Sequence, residues 1–217
     1  DPSLTFIARV VNDQGDPDPA GRAFLVWTTT PWTVPSNTGL AVHPDLTYVE
    51  VLSDNGCYIV AESRVEALFG ETATVRTKWK GVELAGLRYE QPLNLVPDPV
   101  DGNDSGNGWT VVVEDFVSAE EGTGVVHMAP AFGADDYVAG QKHGLPMINP
   151  IDDAGCFIDS TALVGGQFVK DADSALVDEL RSREKLFNIG RVTHSYPHCW
   201  RCASPLLYVA RDSWFAA

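Results

Sequence analysis

The sequence predicts a mainly β fold, a closed β-barrel with a few peripheral α-helices. Three observations predict it. Short β-branched or aromatic segments follow one another through the first half of the chain, Gly and Pro are spread throughout, and only two or three stretches show helical character. At 217 residues and 44% hydrophobic, the chain is long enough to bury one substantial core, so one domain over residues 1–217 is the default.

Strands are expected at Phe6–Val11, Ala23–Thr30, Tyr48–Leu52, Tyr58–Ala61 and Ala73–Trp79, each bounded by turn residues. Between the third and fourth lies Ser53-Asp54-Asn55-Gly56, and Asn-Gly favours a two-residue hairpin turn whose twist suits the flanking strands. Residues 62–69 read as a short helix ended by Gly70. A further strand pair is expected from Trp109 to Val113 and from Gly124 to Met128. Before it, residues 97–108 have nothing to bury and read as a flexible surface loop. Asp135–His143 reads as a helix begun by Gly133 and acidic residues. Asp171–Phe187 reads as a longer one, with Ala172, Ala175, Leu176 and Leu180 on one face. No repeat of fixed period is visible, which argues against a solenoid or propeller.

Charge narrows the partners. With 15 basic against 30 acidic residues, the formal net charge is −15, so a general electrostatic grip on a phosphate backbone is not expected. If RNA is the substrate, other domains must hold it. No basic, apolar leader opens the chain, and no apolar run approaches the ~20 residues that span a bilayer, which points to a soluble, cytoplasmic setting. Both ends read as cut. Asp1–Leu4 runs straight into an apolar stretch, and Trp214-Phe215-Ala216-Ala217 stops on hydrophobics, as in a domain excised from a larger protein.

Three constellations carry chemistry. In Trp27-Thr28-Thr29-Thr30-Pro31-Trp32-Thr33-Val34-Pro35-Ser36-Asn37, a strand of hydroxyl residues is terminated by Pro31. Alternation sends Thr28 and Thr30 to one face and Thr29 to the other. Such a strand end suits recognition of a polar ligand, although Thr is also simply common in strands. The second, Gly122 to Tyr137, reads as strand, tight turn and helix start. Asp135 and Asp136 would complement the helix dipole, and at most one of them faces a pocket, where its carboxylate would clamp an ammonium. His127, on an apolar strand, is by default a satisfied core histidine. The third contains Cys199-Trp200-Arg201-Cys202, two thiolates at zinc-knuckle spacing with His198 as a candidate third ligand. Cys57 and Cys156 lie apart in strand-like contexts, so the sequence offers half a tetrahedral site. There is no GxSxG, HExxH, GxxxxGK[ST] or GxGxxG motif, which removes most support for serine hydrolases, classical metalloproteases and nucleotide hydrolysis.

Taken together, WTTTPWTVPSN, GTGVVHMAPAFGADDY and SYPHCWRC occur in the order and spacing that resembles the connective editing domain of isoleucyl-tRNA synthetases, over nearly the whole chain. The related valine and leucine enzymes usually have Arg where this sequence has Thr30 and an acid where it has Trp32. The resemblance implies a closed barrel inserted into a nucleotide-binding catalytic domain. The synthetase signatures HIGH and KMSKS are absent, so the chain is expected to edit and not to aminoacylate. The resemblance further implies hydrolysis of valine from tRNA(Ile), and of valyl-adenylate in a pre-transfer reaction.

On this resemblance Asp136 binds the α-ammonium, with Thr28, Thr29, Thr30 and Asn37 around the terminal adenosine and ester carbonyl. Asp136, Thr29 and Thr30 are the catalytic candidates. Trp32, Thr33 and Tyr196 surround the aliphatic side chain, and His127 stands where it obstructs isoleucine's extra methylene. Residues 194–217 lead back to the catalytic domain through a half zinc knuckle, Cys199 and Cys202, whose partner pair lies outside the chain. Editing then needs no cofactor, zinc belongs to the full-length enzyme, and the partners are the 3′ end of tRNA(Ile) carrying valine and the remaining synthetase domains. A monomer without membrane contact is expected. Two other readings stay open at this point: editing of threonine on tRNA(Val), and a noncatalytic module that holds an acceptor end. A zinc-structured interaction domain is a third, and it predicts stoichiometric metal in the purified chain.

Overall fold

The computed structural model describes residues 2–96, 106–192 and 197–211. Among the described residues ten strands form one sheet: β1 (Pro2–Val11), β2 (Arg22–Thr28), β3 (Gly39–Val42), β4 (Thr47–Ser53), β5 (Gly56–Ala61), β6 (Thr74–Lys80), β7 (Arg88–Tyr89), β8 (Thr110–Val113), β9 (Val126–Met128) and β10 (Leu186–Arg191). Three α-helices accompany them: α1 (Val65–Phe69), α2 (Ala134–His143) and α3 (Asp173–Ser182).

Six of the strands close on themselves in the order β1-β7-β8-β3-β9-β2, because β2 pairs back onto β1 from Leu4↔Thr28 to Arg9↔Ala23. The pairings β3–β8 and β2–β9 are parallel, and the others in the ring are antiparallel. β10 is added to β1, while β5, β4 and β6 extend the sheet beyond β2.

Alternation along the strands divides the apolar residues between two surfaces. From β2, Phe24 and Val26 enter the main core with Phe6, Leu40 and Ile59, whereas Ala23 and Leu25 join Val49, Val51, Tyr58 and Val60. Likewise Leu40 and Val42 of β3 face the main core, and Ala41 packs with Met128, Ala139 and Leu145 against α2. This closed barrel with a few short helices is the architecture that the strand-like segments predicted.

Local details differ in instructive ways. The β4–β5 hairpin forms, but its two turn residues are Asp54 and Asn55, one position before the Asn-Gly pair. Gly56 pairs with Ser53 and takes the positive φ of 151°. The helix expected to run to Phe187 ends at Ser182: Glu184 adopts φ 55°, Lys185 N–H bonds back to Leu180 O at 2.8 Å, and Leu186 starts β10. The apolar face was correct, since Ala172, Leu176 and Leu180 are buried, but Leu186 and Phe187 pack from a strand. β3 and β7 have no counterpart among the predicted strands. β3 is a fully buried four-residue run without alternation, and β7 has two residues. Of the expected loop 97–108, positions 97–105 lie outside the described residues. Its described end is tied down, with Asn107 Nδ2 donating to His143 O at 3.2 Å and Arg88 to Gly106 O at 3.2 Å.

Candidate active site

Beyond Thr28 the chain leaves β2, and Pro31 opens a 3-10 turn, Pro31–Ser36, that carries Trp32 and Thr33. Proline cannot donate to a ladder and presets φ for a helical turn; the strand, expected to run to Thr30, already ends at Thr28, two residues short of that. α3 packs against this turn, and its Asp173 is buried close to the Trp32 backbone N–H. Trp32 Nε1, Ser36 Oγ, Thr38 Oγ1 and Asp173 Oδ1 are buried without a hydrogen-bond partner among the described residues.

Between this turn, β9 and the start of α2 lies a cavity of about 320 Å³. Thr28, Thr29, Thr30, Trp32, Thr33, His127 and Asp136 all line it, together with Trp27, Val126, Phe132 and Tyr208. Trp32 and Phe132 meet edge to face, 4.9 Å between centroids, and form an aromatic wall. Ala210 N–H donates to Ala131 O at 2.8 Å, which seats the segment bearing Tyr208 beside the same loop.

Of the two adjacent acids, Asp135 is exposed and Asp136 turns inward. Asp136 Oδ2 accepts the Ala129 N–H at 2.8 Å, and Oδ1 has no partner among the described residues. Burial raises its carboxyl above the usual range; the Ala129 N–H pulls it back, and Asp135 adds to the rise. A cation placed against Oδ1 would favour the ionised form. Gly133, the N-cap of α2, makes this fold-back possible: a Cβ there would lie 2.8 Å from Asp136 Cγ.

The hydroxyls and His127 form one ordered chain. Thr33 Oγ1 lies 2.8 Å from Thr30 O, a carbonyl that only accepts, so the Thr33 hydroxyl donates there. It must then accept from Thr30 Oγ1 at 3.1 Å and from His127 Nε2 at 3.0 Å. Thr30 in turn accepts from Thr28 Oγ1 at 3.2 Å. On the other side of the ring, Asn37 Nδ2 donates to Gly39 O at 3.0 Å and to His127 Nδ1 at 2.8 Å. His127 is therefore the neutral tautomer with the proton on Nε2. Burial pushes its pKa down to about 4, and protonating Nδ1 would set donor against donor. Thr29 is the exception among the threonines that line the cavity, because its hydroxyl has no hydrogen bond to any described residue.

Asn37 does not line the cavity. It is fully buried behind His127, with both of its amide ends engaged. Tyr196 lies outside the described residues. Cys199 and Cys202 stand at a tight turn closed by Cys199 N–H to Ser204 O and Ala203 N–H to Cys199 O, both 2.8 Å. Hydrogen bonding with Ser204, and then with Cys199, holds the Cys202 thiol down at about 7, which favours the thiolate a metal needs. Among the described residues, no group of three His, Cys, Asp or Glu gathers in a way that could hold a metal ion. No described helix is long and apolar enough to cross a membrane. Sequence reasoning read Gly133 only as a helix start and missed its contact with Asp136, and it gave Tyr89 and Asp173 no part in the site. For Gly133, a glycine separated by one alanine from two acids was a usable signal, whereas the other two act through contacts distant in sequence.

No family model matches the chain. It is 44% identical over 191 residues to the isoleucine–tRNA ligase of Methanothermobacter thermautotrophicus, covering 88% of this chain and 18% of that protein. To the isoleucine–tRNA ligase of Treponema denticola it is 42% identical over 243 residues, covering 100% of this chain and 22% of that protein. The chain thus spans about a fifth of the length of these curated relatives. Among solved structures, GlLeuRS-CP1 superposes with a TM-score of 0.66 at 17% identity, over 88% of this chain and 100% of that one. The editing domain of the P. knowlesi cytosolic leucyl-tRNA synthetase gives 0.66 at 12%, over 86% and 95%. At those identities the likeness is one of fold. The fold is that of a class I aminoacyl-tRNA synthetase editing domain. By sequence, the chain belongs with the isoleucine–tRNA ligases, as one segment of their length.

Proposed function

We propose that this chain proofreads hydrolytically, removing valine from tRNA(Ile) presented by the other domains of a synthetase. The observation that carries the reading is the Asp136 carboxylate in the lining of a small cavity that Trp32, Phe132 and His127 also line. An aminoacyl ester offers an ammonium and an aliphatic side chain in that relation. One methylene gives a synthetic site only limited discrimination, for which isoleucine against valine is the standard illustration. A second cavity that excludes by overlap reverses the selection, with His127 as the obstructing wall.

In the reaction, a water oxygen bonds to the ester carbonyl carbon, the carbon–oxygen bond to the ribose breaks, and a proton passes to the departing ribose oxygen. Thr29, with its uncommitted hydroxyl, donates to the carbonyl oxygen as charge develops there. His127 is not the base: its one lone-pair nitrogen is buried against Asn37. Positioning of substrate and water, helped by the neighbouring ribose hydroxyl, supplies most of the rate. The valyl-adenylate carries the same aminoacyl group and fits the same contacts.

Deacylation of Val-tRNA(Ile), Ile-tRNA(Ile) and Thr-tRNA(Val) tests the assignment, with Val-tRNA(Ile) expected to react fastest. Faster cleavage of the threonyl ester would transfer the chain to the other specificity. Asp136→Ala should lower the valyl rate by roughly two to three orders of magnitude, the cost of losing one partner of a buried charge pair. Its melting temperature should be nearly unchanged, whereas a large fall would mean that the acid serves the helix instead.

A further inference from the structure

Behind the cavity wall stands Tyr89 of β7, 2% exposed, with its hydroxyl 2.6 Å from Asn37 Oδ1. It is not among the residues that line the cavity. Its hydroxyl hydrogen has one recipient among the described residues, Asn37 Oδ1. Burial holds the phenol well above its ordinary range, so it stays protonated and remains a donor.

An asparagine amide fits its envelope in two orientations that exchange oxygen and nitrogen. In the observed one, Nδ2 serves Gly39 O and His127 Nδ1 while Oδ1 takes the Tyr89 proton. In the flipped one, Oδ1 would face the Gly39 carbonyl, and it would require a proton on His127 Nδ1. The Tyr89 hydrogen would then be left facing an amide N–H. Nε2 would become an acceptor, and Thr33 would have to release Thr30 O to satisfy it.

We propose that Tyr89 is a specificity-positioning residue which, through Asn37, holds His127 as the Nε2–H tautomer with both ring nitrogens turned away from the cavity. A side chain in the cavity then meets only carbon-bound hydrogens of the imidazole. Valine and threonine are nearly equal in volume, so overlap cannot separate them. A wall whose donors and acceptors are all engaged can, because a threonyl hydroxyl set against the imidazole finds no partner on it. This rests on the editing function proposed above and extends it to the choice of an aliphatic over a β-hydroxy side chain.

The test is Tyr89→Phe, which keeps the ring and deletes the hydroxyl. In the chain labelled with 15N-histidine, the wild-type His127 resonances should show a protonated Nε2 and an unprotonated Nδ1 at neutral pH. In Tyr89→Phe a population of the opposite tautomer should appear, and the Val-tRNA to Thr-tRNA rate ratio should fall about tenfold, the scale of one buried hydrogen bond. A merely structural tyrosine would lower the melting temperature and leave both readouts where they were, which would overturn the proposal. The wild-type spectrum decides on its own if the variant does not fold: a proton on Nδ1 would overturn it. A wild type that hydrolyses neither ester at high enzyme concentration overturns the editing function, and the selectivity claim with it. Hydrolysis with an unmoved ratio and tautomer overturns the role of Tyr89 alone.

Discussion

Two buried titratable groups beside the cavity pull stability in opposite directions with pH. His127 is held neutral, its pKa lowered from 6.5 to about 4, so its contribution is complete above pH 6.5 and is lost as pH falls toward 4. Burial lifts Asp173 from 3.8 to about 6, with Lys170 and the Trp32 N–H offsetting part. Its contribution is complete below 3.8 and is lost as pH rises through 6. Each shift corresponds to roughly 3 kcal/mol, so between pH 4 and 6 they largely cancel. Asp173→Asn removes one side. On going from pH 7 to 4.5 the variant should lose roughly 2 kcal/mol more stability than the wild type, or about 4–8 °C in melting temperature for a chain of this size. Parallel pH profiles for the two proteins would show that Asp173 is not the group responsible. Gly133→Ala tests the other wall: the new Cβ must displace the Asp136 carboxylate, a movable side-chain end, so valyl-ester hydrolysis should drop at least ~10-fold while unfolding changes little. Equal activity would mean the carboxylate need not lie over Gly133. At this scale the lining was largely legible, because Trp32, Thr33, His127 and Asp136 sit in motifs whose residue types betray their chemistry. Asn37, expected around the ligand, stands behind the wall instead, and its partner Tyr89, 52 positions away, left no local signal of that.

The 3-10 turn Pro31–Ser36 is the element on which the cavity depends, and the sequence announced its start through Pro31. Elements were harder to delimit where tertiary contacts override local pattern. The run Lys185–Phe187 continues the helical periodicity of α3, but pairing of Leu186 with Phe6 across the β1 edge is a better use of its apolar residues. The switch is made at Glu184, a non-glycine in the left-handed region. There a side chain costs about 1–2 kcal/mol, while glycine costs about 0.5–1 kcal/mol in added freedom of the unfolded chain. Glu184→Gly should therefore raise stability by about 0.5–1 kcal/mol in denaturant titrations, and Glu184→Val should lower it. A destabilised glycine variant would mean that the Glu184 side chain has a role beyond the turn.

For the whole molecule, closure of six strands removes the edges at which β1 and β2 would otherwise end, and it brings β9 alongside the end of β2. Barrel class was legible from short strands and turns. Ring order was not, because its links β7 and β3 are two and four residues long. The net charge of −15 makes unaided binding of a polyanion weak. In single-turnover assays the isolated chain should hydrolyse valyl ester at a rate linear in enzyme concentration throughout, with valine still preferred to isoleucine. Saturation at the concentration that saturates a full-length synthetase would show that the barrel grips tRNA by itself.

The one-way run of protons from Thr28 through Thr30 to Thr33 has a consequence for timing in translation. Between Thr28, Thr30 and Asp136 the lining offers oxygen lone pairs and a carboxylate, so an amino group set there is held by the hydrogens it brings. A free amino terminus brings three; once acylated into an amide it brings one and no charge. On the function proposed here, the opportunity for correction closes when the amine is capped, and a growing peptide attached to the same tRNA lies beyond this chain's reach.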